Sequence, residues 1–394
     1  MAKTSSNESG KRGLMPWVLL AVINALTLIV LLRNGMWLYQ PDGEPWAHDY
    51  VAQWAAGHRV LSGHAAQVYD WADQIAYQSK LIGASKPVEL YIFYPPHFLF
   101  TTPLFAWLDY LPASLAFLIV TTAAYAASLN LLLKDWVKAT LVAVSGGGAF
   151  YSIWWVQNGF LTAALLTAGV VLLKKRPVLA GVFFGMLTIK PQLGLLIPIA
   201  LLCSRNWRAI AAASGTFLLL AAAAELFLGA GIWARFFASI GATSAFLAEG
   251  NLWFKQQSVF ALAFPFVGPT FAWVIFAGLA AGIVVIVASM WSRAGAHMAR
   301  SSALISGSLL VTPYVYTYDA VPLTAAAVML LKGDGGNGPS RWERLLIFAA
   351  CLAPMASRYA YSTAVPLAAL VMLYVAVRQY GISGREQFID VPPV

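Results

Sequence analysis

Asp49 stands in Trp46-Ala47-His48-Asp49-Tyr50, a carboxylate set between an imidazole and a phenol. The chain has only 16 Asp and Glu in 394 residues, so a carboxylate among aromatic neighbours is more telling here than in an ordinary protein. Further along come Tyr94 and His97, then Gln157-Asn158, Lys190-Pro191-Gln192, Lys255-Gln256-Gln257, Tyr316-Thr317-Tyr318-Asp319 and Arg358-Tyr359. One candidate base, a few isolated cations and many aromatic rings suit one reaction well. That reaction moves a sugar from a lipid phosphate to an acceptor hydroxyl. The attacking hydroxyl needs a carboxylate to take its proton. The departing phosphate needs cationic donors already in place. Sugar faces stack on Trp and Tyr rings, of which there are 15 and 16. A direct displacement needs a single carboxylate, unlike the acid–base pairs of glycoside hydrolases.

The elements that must position these residues read as membrane helices. The chain is 60% hydrophobic and 10% charged, against about 25% charged in soluble domains. A helix needs roughly 17–25 apolar residues to cross the bilayer core. Twelve spans are expected: 14–32, 113–133, 139–156, 157–173, 177–189, 191–203, 209–229, 271–291, 301–317, 319–331, 343–357 and 360–378. The first reads as a span rather than a cleaved leader, because no small-residue cleavage site follows it. Lys3/Lys11/Arg12, Lys134/Lys138, Lys174/Lys175/Arg176, Arg205/Arg208, Arg293/Arg300, Lys332/Arg341/Arg344 and Arg378/Arg385 then fall on one side. Those are 17 of the 25 Lys and Arg, and the inside bias of such residues puts both termini in the cytoplasm. Two apolar stretches, 95–111 and 259–270, are too short or proline-broken to span, and read as helices in the outer leaflet.

This topology gathers the polar set on the extracytoplasmic face. The first loop, 33–112, carries His48, Asp49, Tyr50, Asp70, Asp73, Tyr94 and His97; the second, 230–270, carries Lys255. One membrane domain covers 14–378, with cytoplasmic tails at 1–13 and 379–394 and a flexible linker at 332–342. Lys190 argues most strongly for function, since a lone lysine between two short apolar runs contradicts the inside bias and sits near membrane depth. For each polar residue the plain alternative is a helix end meeting water. Asp70 and Asp73 suit loop ordering at helix starts. His97 either orients the outer helix or touches substrate, and both readings stand. His58 and His64 read as surface, and Glu225 as a span-end residue with a polar neighbour. Gly146-Gly147-Gly148 and Gly181/Gly185 read as close-packing positions. Cys203 and Cys351 have neither metal-ligand spacing nor a disulfide pattern, and no metal or cofactor is expected. The net charge of +9 is explained by topology, so nucleic acid is not an expected partner.

In their order, His48-Asp49-Tyr50, Gly63, Val68-Tyr69-Asp70 and Phe93-Tyr94-Pro95-Pro96, then Gln157-Asn158-Gly159 and Ile189-Lys190-Pro191-Gln192, resemble glycosyltransferase family 87. The likeness covers roughly residues 14 to 330. It implies the C-type glycosyltransferase fold, a polyprenyl-phosphate-linked sugar as donor, metal-independent inversion, and Asp49 as catalytic base. One departure concerns a late Pro-x-x-Trp-x-His-(His/Asp) segment, which here reads Pro313-Tyr314-Val315-Tyr316-Thr317-Tyr318-Asp319. A tyrosine hydroxyl donates a hydrogen bond but carries no charge at neutral pH. Lys190, Lys255 or Arg358 then supplies that charge, or the donor is not the mannosyl lipid common in the family.

The expectation is an all-α polytopic enzyme of a bacterial cytoplasmic membrane, with its site on the outer side. It transfers a hexose, mannose by default, onto a lipid or glycan acceptor; a pentose is the variant. Asp49 is the base, and Lys190, Arg358, Lys255 and Tyr318 hold the donor phosphate. His48, Tyr50, Tyr94, His97, Gln157, Asn158, Gln192, Tyr314 and Asp319 contact substrate. Rival readings are a transporter of a lipid-linked sugar, a non-catalytic envelope-assembly component, and a ligase joining preformed glycans. A transporter predicts ionisable residues at mid-bilayer and two halves of inverted topology.

Overall fold

The computed structural model describes residues 2–43, 46–248, 255–334 and 338–389, so parts of both tails, the second outer loop and the linker lie outside the described residues. The side chains of Lys3, Lys11, Arg12 and Arg385, counted among the basic clusters, lie outside them too. The fold is all-helical. Among the described residues there are two isolated β-bridges and no strand. A long helix, α1 (Ala2–Arg33), leads into the first loop, which contains α2 (Tyr50–Leu61), α3 (Trp71–Leu81) and a 3-10 segment at Pro96–Leu104. Next come α4 (Tyr110–Leu133), α5 (Trp136–Ser145), α6 (Gly147–Trp154), α7 (Gly159–Leu172), α8 (Pro177–Met186) and α9 (Ile197–Cys203). The second half holds α10 (Trp207–Phe227), α11 (Ile232–Ala248), α12 (Val259–Trp291), α13 (His297–Leu310), α14 (Leu323–Lys332), α15 (Arg341–Leu352) and α16 (Ala364–Ile389).

Among the described residues, five helical stretches are long and apolar enough to cross a bilayer: Leu14–Arg33, Tyr110–Leu133, Trp207–Phe227, Val259–Trp291 and Tyr361–Ile382. The other seven expected spans are short or interrupted helices. The expected span 139–156 is broken at Gly146 into α5 and α6. A 14-residue helix such as α7 rises only about 21 Å, short of the roughly 30 Å hydrocarbon core. Two of these short elements are enclosed by the rest of the protein. Every residue of α13 from Ser301 to Leu310, and of α14 from Leu323 to Leu330, is buried. A helix buried on all sides belongs in the centre of a bundle. By contrast α10 and α12 present Leu218, Leu219, Leu226, Phe227, Phe271 and Val285 outward, as helices facing lipid do.

Local chemistry repairs the breaks. Asn24 of α1 donates from Nδ2 to the carbonyls of Val144 (2.8 Å) and Gly146 (3.1 Å) at the α5–α6 interruption, and Gly146 O also accepts from Phe150 N at 3.2 Å. The glycines at that junction admit close neighbours. A Cβ on Gly148 would lie 2.5 Å from Ala320 C and Val321 N, and one on Gly185 would lie 2.5 Å from Thr216 Cβ on α10. The stretch 259–270, expected as a separate helix, is set off from the rest of α12 by a non-helical break at Gly268 (φ 73°, ψ 173°), between Pro265 and Pro269. The stretch 95–111 is a 3-10 segment with Leu104 and Trp107 exposed, too short to span.

The first loop is ordered by its own polar residues. Arg59 is buried, pairs with Asp73 at 2.9 Å and lies over the Tyr77 ring at 4.2 Å. Asp70 caps α3 by accepting from the Asp73 N–H at 3.3 Å. His64 is exposed, as read; His58 is half-buried against Trp54, contrary to the surface reading, because α2 lies in the core. Glu225, near the end of α10, accepts from the Gly231 N–H.

Candidate functional site

Asp49 is the N-cap residue of α2, yet its carboxylate makes no capping bond. An N-cap aspartate ordinarily accepts from the next turn's N–H groups, worth about 1 kcal/mol. Here the side chain turns into the protein, 12% exposed, and takes two partners from distant segments. Oδ1 accepts from Lys255 Nζ at 2.7 Å and Oδ2 from Gln157 Nε2 at 3.0 Å.

Gln157 joins the network together. It follows α6, and its Oε1 accepts from its neighbour Asn158 N at 3.2 Å, Tyr94 Oη at 3.4 Å and Gln53 Nε2 at 3.5 Å. Those bonds commit the amide nitrogen to Asp49. Lys255 is fixed by its backbone, since 255–257 runs against 315–317 as a short antiparallel bridge. Gln257 N donates to Val315 O at 2.7 Å, and Thr317 N to Lys255 O at 3.3 Å. The Lys255 ammonium also lies 3.9 Å from the centroid of the Trp155 ring.

Lys190 has a different setting. It is 1% exposed, in the turn between α8 and α9, and is paired with Asp319, itself fully buried. The rings of Tyr318 (4.8 Å) and Tyr94 (5.8 Å) flank its ammonium. Asp319 Oδ2 accepts from Tyr316 N at 3.0 Å, closing the turn that carries Tyr318. Burial holds the phenols of Tyr94 and Tyr318 well above their ordinary pKa, so both act as neutral hydroxyls.

A cavity of about 80 Å³ sits among these groups, lined by Asp49, Gln53, Glu89–Tyr94, Gln157, Lys190, Gln192, Lys255, Tyr316 and Tyr318. Seven of the candidate residues thus meet around one space: Asp49, Tyr94, Gln157, Lys190, Gln192, Lys255 and Tyr318. Asp319 and Asn158 are buried beside it. Arg358 lines a neighbouring cavity of about 350 Å³ with Tyr151, Trp154, Trp155, Thr317 and Lys255, so Lys255 is common to both.

Four candidates face elsewhere. Tyr50 is buried in the core between Tyr110 and Phe117, because α2 turns that face toward α4. His48 accepts from the Leu38 N–H at 3.4 Å; its own backbone N–H donates to Tyr110 Oη at 3.1 Å, and burial lowers its pKa to about 4. His97 is hydrogen-bonded to Thr188 at 3.1 Å, stacked on Trp233, and lines neither cavity. Tyr314 is half-buried and lines neither cavity. Sequence reading missed Gln53, Glu89, Tyr316 and Trp155. Gln53 was accessible, one helical turn after Asp49 and so on its face. Glu89 carried no signal, because its position depends on how the loop folds back.

The family model described as glycosyltransferase family 87 matches residues 91–313, more than half of the chain. Gln157, Lys190 and Lys255 fall inside the match; Asp49, Asp319 and Arg358 fall outside it. Searches among curated proteins and solved structures find no match.

Proposed function

The chain belongs to glycosyltransferase family 87, and from that premise we propose that it moves a sugar from a polyprenyl phosphate to a hydroxyl of a lipid or glycan acceptor. The short helices join the five long ones in a twelve-crossing C-type fold, with the cavity on the extracytoplasmic side. The observation that carries this reading is a mostly buried carboxylate in a cavity walled by neutral hydroxyls, amides and cations. Asp49 takes the proton of the acceptor hydroxyl as that oxygen bonds to the anomeric carbon from the face opposite the leaving group. The bond from the anomeric carbon to the phosphate oxygen breaks, and the electron pair leaves with polyprenyl phosphate, inverting the configuration. Gln157 orients the carboxylate. Tyr94, Tyr318 and Gln192 offer hydrogen bonds to sugar oxygens, and mannose is the default sugar.

Two measurements test this. Mass spectrometry of lipid that co-purifies with the protein should find a polyprenyl phosphate bearing a hexose or pentose. Reconstituted Asp49→Asn protein should insert normally and lose nearly all sugar transfer from that lipid. A variant still transferring at most of the wild-type rate removes Asp49 from the mechanism. Normal transfer to no acceptor by the wild type, with movement of the lipid across vesicles, favours the transporter.

A further inference from the structure

The Asp49–Lys255 ion pair raises a chemical problem, because a base engaged by an ammonium is a poor proton acceptor. The second cavity offers a solution. Among the described residues its lining contains two cations, Lys255 and Arg358, the hydroxyls of Tyr151 and Thr317, two indoles, and no carboxylate. The first cavity, in contrast, has both Asp49 and Glu89 in its wall. Lys190, the other cation near the site, already has the buried carboxylate of Asp319 as countercharge. The donor's phosphate is a diester with one negative charge and becomes a monoester with up to two as the sugar departs, so a lysine–arginine pair matches it best as the leaving group forms. An ammonium has three donors, so Lys255 can turn from a carboxylate to a phosphate without leaving its backbone position.

We propose that the cavity shared by Lys255 and Arg358 is the subsite for the donor's phosphate, and that phosphate there draws Lys255 off Asp49, freeing the carboxylate to act as base. This rests on the transfer reading above and extends it to the order of events. Donor binds first, and the base becomes available only when the leaving group is in position. The ligand-free protein holds its base masked.

The test uses infrared difference spectroscopy of the full-length protein in lipid nanodiscs, with inorganic phosphate against chloride at equal ionic strength. Phosphate should produce a saturable change in a carboxylate stretching band, and that band should be absent from Asp49→Asn. Calorimetry should show Asp49→Asn still binding phosphate, at least as tightly as wild type, since the internal competitor is gone. Arg358→Gln should shift the titration to at least tenfold higher phosphate. Geranyl phosphate should produce the same band change at lower concentration than inorganic phosphate. Saturable binding without a band change refutes the hand-over, and indifference to Arg358→Gln refutes the location. Equal potency of the two phosphates refutes a lipid-linked source, and the absence of saturable binding refutes the subsite. Sugar transfer by Asp49→Asn at the wild-type rate would instead sink the general-base reading while leaving the phosphate result intact.

Discussion

Replacing Lys190 separates a structural cation from a catalytic one. Its ammonium is 1% exposed, and Asp319 opposite is fully buried, so Lys190→Met strands a carboxylate in the bundle interior. Removing one partner of a buried pair costs about 3–5 kcal/mol, whereas replacing both by groups of similar shape is often neutral. Asparagine at 319 keeps a carbonyl oxygen that accepts from Tyr316 N, the bond that closes the turn. The double variant Lys190→Met/Asp319→Asn should therefore regain most of what the single variant loses. Denaturant unfolding of the purified protein measures both, and sugar transfer measured alongside completes the comparison. Expected are a single variant destabilised by about 3–5 kcal/mol and a double variant near wild type in stability, with transfer largely retained. Two results refute the reasoning. A single variant as stable as wild type means that the pair holds nothing together. A stable double variant with transfer reduced as far as in Asp49→Asn means that the Lys190 charge acts on substrate.

Asp49→Asn should lower the transfer rate by about 10²–10⁴-fold, the usual contribution of a general base; single-turnover measurements with bound donor check this directly. Gly148→Ala places a methyl 2.5 Å from the backbone at Ala320 and Val321. It should displace the Tyr318–Asp319 turn and cost about 1–3 kcal/mol, read as a lower unfolding midpoint together with weaker transfer. His48 has a folded pKa of about 4 against 6.5 for a free imidazole. The unfolded chain is thus protonated first as pH falls, and stability present above pH 6.5 drains away toward pH 4. At most the loss is about 3 kcal/mol. His48→Gln should flatten that part of the stability–pH curve; an unchanged slope would assign the acid sensitivity elsewhere.

Sequence alone made the helical membrane class and the scattered polar set legible, because hydropathy acts along the chain and isolated polar residues interrupt it. Asp49, Gln157 and Lys190 stood out as polar residues where apolar ones belong. Partnership was not legible. Lys190 and Lys255 look alike in sequence, and which pairs with Asp49 depends on a bridge between 255–257 and 315–317 that no local pattern announces. Helix interruption was less legible than composition. The apolar run at 139–156 breaks at Gly146, where most of its residues are buried, and the run at 177–203 breaks at Lys190-Pro191, with Val178, Leu195 and Leu202 exposed. Tyr50 shows the same limit: adjacent to Asp49 in sequence, it lies on the other side of the helix start.

The space around Asp49, about 80 Å³, has room for a handful of water molecules and not for a hexose ring. The Glu89–Phe93 segment lines one side of that space, and Gln78 Nε2 fastens it at Leu90 O, 2.9 Å away. The Asp49 side chain keeps only 12% of its surface exposed. Little water therefore reaches the carboxylate, which disfavours loss of a sugar donor to hydrolysis.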